Sequence, residues 1–425
     1  MNKNLKKLSA KVLSHYKKNR RILPWREDPT PYHVWISEIM LQQTRVDTVI
    51  PYFERFVQTF PTIRALAEGD EDTLLKLWEG LGYYSRARNI HKAAKLIVDK
   101  HQGEMPGSKE ELLRLPGIGP YTAGAIASIA FGKKETAVDG NLIRVGTRLL
   151  AYDRSVVNAE GKRDLENFWA SLLPEKNAGD FNQAIMDIGA TICLPNGDPL
   201  CLICPINEFC TAFELGLQTD FPKKEVKKPR RVEKKTILLL FCEDKILLEK
   251  REDQGLLRGM WQFPMIDGHL SEDEARDHLQ KNGLSAIRIH QGPRAKHIFS
   301  HIEWHMIAWE VRLDPFALLS VSTSDTEVPT TDSRKDQPTP LSLNGQKKRS
   351  VKDPSETNSD EYQTKPDDRS EVQENSIQYT ADAISQKSSD EIKMPDQTWI
   401  ETDRLDQITL PTAFRIYRQR ATELR

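Results

Sequence analysis

The chain has 425 residues, enough for about two to three domains at the usual ~100–200 residues each. No apolar run approaches the ~18–20 residues of a membrane-spanning helix, and the basic N-terminus lacks the apolar core of a signal peptide, so we expect a cytoplasmic protein. The net charge of −1 excludes a uniformly basic surface, but residues 1–230 hold 33 Lys and Arg against 28 Asp and Glu, whereas residues 314–396 hold 10 against 17. The remaining, mildly basic parts are compatible with a polyanionic partner.

Residues 1–220 are predicted to form an all-α domain. Apolar residues recur there at helical spacing, and short segments such as EGLGYY and LPGIGP separate the periodic stretches. The predicted helices cover residues 5–16, 31–44, 46–58, 71–79, 86–100, 108–115, 121–131, 141–151, 163–173 and 180–191.

An α+β domain is predicted for residues 236–425. Residues 221–235 (FPKKEVKKPRRVEKK) contain eight Lys and Arg and two Pro, which is typical of a solvated linker. A helix is predicted over 271–283. The predicted strands cover residues 236–242, 245–252, 297–313 and 397–405. Residues from about 315 to 395 hold too few Leu, Ile, Val and Phe to bury a core, so we expect a disordered insertion in a surface loop.

Four of the five cysteines lie in one short segment, Cys193-x7-Cys201-x2-Cys204-x5-Cys210. Disulfide-linked secreted domains spread their cysteines, so this cluster is typical of metal binding in a reducing compartment. A tetrahedral zinc ion and a [4Fe–4S] cluster both take four thiolates. A zinc ribbon pairs two CxxC motifs, and this segment has one, which favours the iron–sulfur cluster.

Residues 115–131 (LPGIGPYTAGAIASIAF) have the pattern of a helix–hairpin–helix motif. Gly117 and Gly119 form a tight turn whose backbone N–H groups stay accessible, and Pro120 suits the first turn of the next helix. Free N–H groups at a helix N-terminus bind phosphate, so we predict that the hairpin contacts the DNA backbone without reading its sequence. The alternative is an ordinary Pro-Gly turn.

Two acidic residues are candidates for a chemical role. Glu38, in VWISEIMLQQT, has apolar neighbours, and partial burial would let its carboxyl group keep a proton near neutral pH. Asp139, in VDGN, precedes the next predicted helix. A protonated and an ionised carboxyl group form the pair that glycosidic cleavage uses. The alternatives are a Glu on the polar face of a helix and an Asp that only caps a helix N-terminus.

Taken together, these motifs resemble the MutY family of adenine DNA glycosylases. The resemblance rests on LPWRxxxxPYxVWxSExMLQQT, PYFxRFxxxFPT, LWxGLGYYxRARN, LPGIGxYTAGAI, VDGNxxRV and the cysteine segment; it covers residues 20–215 and resumes in the C-terminal domain. It implies a helix–hairpin–helix glycosylase core with a [4Fe–4S] loop, followed by a MutT-like (Nudix-fold) domain. The implied partner is double-stranded DNA with adenine opposite 8-oxoguanine or guanine, bound by a monomeric, nucleoid-associated enzyme.

The resemblance implies roles for four residues at the chemical step. Glu38 would protonate N7 of a flipped adenine. Asp139 would stabilise the positive charge that grows on the sugar, by its own charge or by transient bonding to C1′, and Asn141 would orient it. Tyr121 stands where related lyases carry a nucleophilic lysine, so no iminium forms and a monofunctional glycosylase is expected. The nearest alternative is an endonuclease III-like lyase.

Further residues are implied to bind the substrate. Trp25 and Arg26 would border the flipped adenine. The side-chain amides of Gln42 and Gln183 would meet the adenine edge, and Tyr83 would wedge into the duplex. Core packing is the alternative for Tyr83 and for its neighbour Tyr84.

The C-terminal domain is expected to bind and not to hydrolyse. Phe299, Ser300 and His301 would contact 8-oxoguanine. The helix that carries the carboxylates of Nudix hydrolases is replaced by ARDHLQKNG, residues 275–283, which has no carboxylate cluster for Mg²⁺. This argues against a nucleotide hydrolase. A non-catalytic DNA-binding scaffold that uses only the cluster and the hairpin is the alternative from another functional class.

Two features depart from the family pattern. The first cysteine gap has seven residues, where the family usually has six, so one residue of the loop 196–198 is extra. The long acidic insertion is not a family feature.

Overall fold

The computed structural model describes residues 3–223, 229–315 and 396–424. All α-helices and 3₁₀ turns of residues 3–223 belong to one helical part, as predicted. Its α-helices are α1 (Lys3–Asn19), α2 (Pro24–Glu27), α3 (Pro31–Leu41), α4 (Val46–Thr59), α5 (Ile63–Glu68), α6 (Glu71–Trp78), α7 (Ser85–His101), α8 (Lys109–Leu112), α9 (Pro120–Ile129), α10 (Gly140–Leu150), α11 (Ala159–Leu172), α12 (Ala178–Thr191) and α13 (Thr211–Glu214). None of the helices in the described residues is both long and apolar enough to cross a bilayer.

Three short helices were not anticipated from the sequence: α2, α5 and α13. Each has four to six residues, fewer than two turns, so the 3.6-residue period has no room to repeat. The longer helices match their predicted segments to within a few residues. Tertiary packing stabilises the short ones, since α5 buries Ile63, Leu66 and Ala67.

The C-terminal part is built on an eight-stranded mixed sheet. Its strands are β1 (Arg231–Cys242), β2 (Lys245–Lys250), β3 (Trp261–Gln262), β4 (Met265–Asp267), β5 (Ala286–Gln291), β6 (Ala295–Ile298), β7 (Ile302–Leu313) and β8 (Gln397–Glu401). The central order is β3-β2-β1-β7-β5, with β4 on β1, β6 on β7 and β8 on β2. Strands β1 and β7 are parallel and the other pairs are antiparallel.

Helices cover both faces of this sheet. Along β1, alternate side chains enter different cores: Ile237 and Leu239 face one side, and Leu238 and Leu240 face the other. Helix α14 (Glu272–Lys281) contributes to the second core and α15 (Arg415–Glu423) to the first. This two-sided burial explains why the strand is a continuous apolar run, and the predicted α+β class is confirmed.

Several boundaries differ from the prediction. Strand β1 begins at Arg231, so the last five residues of the predicted basic linker 221–235 form strand. The strand predicted over 297–313 is interrupted, because residues 299–301 form the turn between β6 and β7. Residues 402–407 form a 3₁₀ helix instead of continuing a strand. The predicted insertion falls almost entirely outside the described residues.

Candidate active site

Glu38 lies in the core of the helical part. Its helix α3 begins at Pro31 after the N-cap Thr30, and eight of its eleven residues are buried. Glu38 itself is 5% exposed. This burial penalises the charged carboxylate and raises the pKa of Glu38 to about 7, so the side chain holds a proton over part of the neutral range.

Tyr121 is the hydrogen-bond partner of Glu38. It lies in the first turn of α9, which packs against α3, and its hydroxyl donates to Oε2 of Glu38. Burial raises the pKa of Tyr121 well above its usual value, so the hydroxyl stays a donor at neutral pH. The bond favours the carboxylate form of Glu38 and opposes, without cancelling, the effect of burial on its pKa.

Asp139 is the N-cap residue of α10, which was the alternative to a chemical role. Its Oδ1 accepts the backbone N–H groups of Asn141 and Leu142 at 2.9 and 2.8 Å, and its Oδ2 accepts Nδ2 of Asn141 at 2.6 Å. Burial raises the pKa of Asp139, while these three bonds and the charge of Arg144 oppose the rise. The charge of Asp139 also raises the pKa of Glu38, so the two carboxyl groups lie close enough to interact.

A chain of hydrogen bonds leads from Asp139 to the cysteine segment. Asn141 bonds Asp139, and Nη2 of Arg144 donates to Oδ1 of Asn141 at 2.8 Å. Nε of Arg144 donates to the carbonyl oxygen of Cys193 at 2.7 Å. Asn141 was predicted as a site residue from the sequence, and Arg144 was not. Arg144 follows Asn141 by three residues, so the two side chains lie on the same face of α10, and this spacing could have indicated it.

Arg26 is held near Glu38 by Asp187, a partner that was not predicted from the sequence. Its Nη1 and Nη2 donate to both carboxylate oxygens of Asp187 at 2.7 and 3.0 Å, a bidentate pair. The Arg26 charge lowers the pKa of Glu38. Asp187 lies on α12 four residues after Gln183, so the two side chains share one face of the helix. This spacing could have indicated Asp187 from the sequence.

The other predicted adenine contacts occupy different environments. Trp25 is 5% exposed and packs edge-on against Phe53 with ring centroids 5.3 Å apart, so most of its ring contributes to the core. Gln42 donates from Nε2 to Oγ1 of Thr122, the residue after Tyr121, at 3.3 Å. Gln183 is 8% exposed on α12. Gln42 is therefore linked to the helix that carries Tyr121.

The two hairpin glycines have different structural roles. Gly117 has φ +79°, and a Cβ there would lie 2.8 Å from Cβ of Asn89, so both backbone and packing require glycine. Gly119 is the N-cap of α9 with φ −90°, and a Cβ there would meet nothing within 4 Å. Among the described residues, neither packing nor backbone strain requires glycine at 119, and the space beside its Cα is open.

The four clustered cysteines surround one small cavity. Cys193, Cys201, Cys204 and Cys210, with Arg148, line a space of about 30 Å³, and all four thiols are free. Arg148 donates from Nη1 to Sγ of Cys193 at 3.1 Å. Across the described ranges, no three or more His, Cys, Asp or Glu side chains gather closely enough to hold a metal ion. The four thiols thus line one cavity.

The seven-residue first gap does not separate Cys193 from the other thiols. Residues 195–198 of this gap are exposed. Gly197 has φ +72°, and a Cβ there would meet nothing within 4 Å. The gap is therefore accommodated in a surface turn.

A groove of about 900 Å³ brings Tyr83 and the predicted 8-oxoguanine triplet together. Residues 80–85, 255–258, 297–301 and 411–413, with Arg88 and Arg230, line it. The hydroxyl of Tyr83 lies 3.0 Å from Oγ of Ser300. Tyr83 is 48% exposed, whereas Tyr84 is 5% exposed, so core packing applies to Tyr84 and not to Tyr83.

The triplet forms the turn between β6 and β7. Phe299 packs edge-on against Trp304 with ring centroids 4.9 Å apart, and its N–H donates to the carbonyl of Ile302 at 2.8 Å. Ser300 and His301 are exposed. The aromatic ring thus anchors the turn, and the two polar side chains are exposed in the groove.

Arg86 was not anticipated, although it connects the Glu38 helix to the Tyr83 turn. Its Nη1 donates to the carbonyls of Ile39, Met40 and Gln42 at 2.7, 3.2 and 2.7 Å. Its Nη2 donates to the carbonyls of Leu81 and Gly82, both at 3.2 Å. Burial lowers the pKa of Arg86 to about 10. A set of carbonyl acceptors from two segments has no sequence signature, so only the fold reveals this contact.

Comparisons with known proteins agree with this architecture. Residues 36–171 match the family model of the HhH-GPD superfamily base excision DNA repair proteins, and residues 236–335 match that of the NUDIX domain. Adenine DNA glycosylase of Mus musculus is 35% identical over 363 residues, covering 72% of this chain and 70% of the mouse protein.

The similarity to two bacterial relatives extends over a larger share of their length. Adenine DNA glycosylase of Buchnera aphidicola subsp. Schizaphis graminum is 37% identical, over 72% of this chain and 88% of that protein. The protein of the same name from Buchnera aphidicola subsp. Baizongia pistaciae is 39% identical, over 67% and 79% respectively. The resemblance expected from the motifs is confirmed, and the chain belongs to the adenine DNA glycosylase family.

Proposed function

We propose that this chain removes adenine mispaired with 8-oxoguanine or guanine from double-stranded DNA and leaves an abasic site. The observation that carries the proposal is Glu38, a buried carboxyl group with a pKa of about 7 that accepts a hydrogen bond from Tyr121 and interacts electrostatically with Asp139. An acid that is half protonated near neutral pH can donate a proton to a base and take one back.

Bond cleavage starts at Glu38. Its proton passes to N7 of the flipped adenine, which makes the base a better leaving group. The bond between C1′ and N9 then breaks, and its electron pair leaves with the adenine. Arg26 and Tyr121, which both favour the carboxylate form of Glu38, stabilise the group once the proton has left.

Asp139 acts on the sugar. The oxocarbenium ion that forms at C1′ is stabilised by a nearby negative charge, and three hydrogen bonds keep the Asp139 carboxylate in place. Water attacks C1′, and its proton returns to Glu38. Because Tyr121 supplies a hydroxyl where a lyase carries an amine, no iminium intermediate forms and the reaction ends at the abasic site.

The DNA is held at two places. The N–H groups at the start of α9, beside the open Gly119, bind a backbone phosphate. Tyr83 enters the duplex, and Ser300 and His301 contact the base opposite the adenine. The proposed enzyme is a monomer, and chromosomal DNA in the cytoplasm (the nucleoid) is its proposed place of action.

The cysteine segment is proposed to hold a [4Fe–4S] cluster, which would brace residues 193–210 and supply no atom to the reaction. Four thiols that line one cavity fit a [4Fe–4S] cluster, which takes four thiolate ligands, and the single CxxC motif favours it over a zinc ribbon. The Arg148 contact to Cys193 would stabilise a thiolate ligand there.

The decisive experiment is incubation with a duplex that contains one adenine opposite 8-oxoguanine, followed by alkali. Strand breaks at the adenine are expected only after alkali. A duplex that stays intact would contradict the glycosylase and favour the scaffold alternative. Breaks without alkali, together with a strong covalent cross-link after borohydride, would instead place the chain with the lyases.

Tyr121→Phe is expected to shift the pH dependence of adenine release. The Tyr121 hydrogen bond lowers the pKa of Glu38, so its loss raises that pKa further, and activity persists to a higher pH by about one unit. Single-turnover rates across pH measure the shift. Tyr152→Phe is the matched control, because Tyr152 also donates to a carboxylate, that of Asp164 on the surface, and it should move nothing.

Ser300→Ala combined with His301→Ala is expected to reduce the preference for 8-oxoguanine over guanine by about tenfold, the effect of one or two lost hydrogen bonds. The ratio of excision rates on the two mismatches measures it. Ser285→Ala with His290→Ala changes the same residue types in the same domain outside the groove and should preserve the ratio. Equal ratios in all three proteins would remove the triplet from recognition.

Cys204→Ser is expected to abolish the visible absorption of the purified protein. Iron–sulfur clusters are coloured and zinc is not, so the wild-type spectrum distinguishes them. Cys242→Ser changes the fifth cysteine, which lies on β1 away from the cavity, and should keep the colour. A colourless wild-type protein that contains one zinc would contradict the cluster.

A further inference from the structure

Glu79 joins the helical part to the C-terminal part. It follows α6 directly as the C-cap residue. Its Oε1 accepts Nη2 of Arg418, on α15, at 2.5 Å and the backbone N–H of Leu410 at 3.3 Å. One carboxylate oxygen of the helical part therefore bonds two groups of the C-terminal part.

Lys76 extends this contact. Its Nζ donates to Oε2 of Glu79 at 2.7 Å and to the carbonyl of Asp406 at 2.5 Å. Both oxygens of Glu79 are thus used, and the Lys76 bond to Asp406 is a third bond between the two parts. On the opposite side, the hydroxyl of Tyr52 donates to the backbone carbonyl of Glu79 at 2.8 Å, which ties this residue to α4.

The ion pair is largely removed from solvent. The side chains of Glu79 and Arg418 are 20% and 18% exposed. Nε of Arg418 is buried and has no hydrogen-bond partner among the described residues, and Nη2 has one other acceptor, the carbonyl of Ile408 at 2.8 Å. Loss of Glu79 would leave the guanidinium group of Arg418 poorly solvated. Removal of one partner should therefore cost more stability here than in an exposed surface pair.

The Glu79–Arg418 pair lies next to the segments that form two walls of the groove. Glu79 immediately precedes residues 80–85, which form one wall of the 900 Å³ groove, and Leu410 immediately precedes residues 411–413, which form part of another. Tyr83 and Ser300 meet inside the same groove. The pair thus joins the two chain segments from which these walls extend.

We propose that the Glu79–Arg418 pair is a positioning contact that holds the groove at the width at which Tyr83 and Ser300 meet, and thereby sets the discrimination between 8-oxoguanine and guanine. This inference rests on the proposed function. Neither residue touches the reacting atoms, so the pair acts through the groove and leaves the chemistry of Glu38 unaffected.

The test measures single-turnover adenine release opposite 8-oxoguanine and opposite guanine for Glu79→Ala, Arg418→Ala and the double variant. Each single change should lower the rate ratio about tenfold, corresponding to the loss of one charge-assisted contact, mainly by slowing the 8-oxoguanine duplex. The double variant should be no worse than either single one, because both remove the same contact. Additive losses would overturn the proposal. Glu79→Gln, which keeps an acceptor, should retain part of the ratio.

Arg420→Ala is the matched control. Arg420 lies two residues further along α15 and forms a bidentate pair with Glu310, at 2.6 and 3.2 Å, entirely within the C-terminal part. It should lower thermal stability and leave the ratio unchanged. If Arg420→Ala reduces the ratio as strongly as Arg418→Ala, general destabilisation explains the effect and the proposal is wrong.

Hydrogen exchange gives a readout that is independent of activity. Amides of residues 80–85 and of Thr412 and Ala413 should exchange faster in Glu79→Ala and Arg418→Ala than in wild-type protein or Arg420→Ala, because the two walls lose their common contact. Unchanged exchange would overturn the positioning role. A wild-type protein that releases no adenine would instead contradict the proposed function, and none of the groove variants is needed to see that result.

Discussion

Replacing Glu38 with Gln is expected to slow adenine release by about 10²–10⁴-fold, the usual contribution of a general acid, while binding to the mismatch is retained. Glutamine has nearly the same shape and can still accept the Tyr121 hydrogen bond, but it has no proton to give. Single-turnover excision and a gel-shift titration on the same duplex separate the two effects.

The wild-type pH profile tests the same assignment without a mutation. In the proposed mechanism the protonated form of Glu38 is the active one, and the pKa of Glu38 is about 7, so the rate should fall as pH rises through 7. A Glu at its ordinary pKa of about 4.3 would already have lost its proton far below that range.

Glu54→Gln is the control for Glu38→Gln, since Glu54 is exposed on α4. It should excise at the wild-type rate. A Glu38→Gln enzyme that is equally fast would contradict the acid assignment, and the proposed mechanism would lose its first step.

Replacing Asp139 with Asn is expected to slow excision by about 10²–10³-fold, as is typical when an electrostatic contact to developing charge is removed. Asparagine is as good a helix N-cap as aspartate, and its Oδ1 can accept the N–H groups of Asn141 and Leu142. The substitution therefore removes the negative charge and the bond from Nδ2 of Asn141, and keeps the two backbone bonds of the cap. Excision rate, with thermal unfolding measured in parallel, reports the two roles separately.

Asp70→Asn provides the matched control. Asp70 caps α6 by accepting the N–H of Thr73 at 2.7 Å, so it has the same capping role as Asp139. Asp70 is not part of the proposed site around Glu38. Both variants should unfold near the wild-type temperature. If Asp139→Asn excises normally, Asp139 is only a cap, and the structural alternative holds.

The sequence alone determined the class of each domain and the family, but it missed the short helices α2, α5 and α13 and the strands β3, β4 and β5. Helical periodicity separated residues 1–220 from the strand-rich C-terminal part, and the spacing of contiguous motifs was enough to recognise the glycosylase, because turns and caps are local. It also placed a Glu among apolar neighbours, from which a raised pKa followed. What it could not supply was the arrangement of groups distant in the chain.

The tertiary structure decided which side chains meet. The contacts of Glu38 with Tyr121, of Arg26 with Asp187 and of Tyr83 with Ser300 join residues 83, 161 and 217 positions apart, and no local pattern encodes them. Arg86 and Glu79 were missed for the same reason, since their partners are backbone groups or lie in another domain. Local propensity specifies helices and strands, whereas desolvation and pairing of charges arise only when the chain has folded.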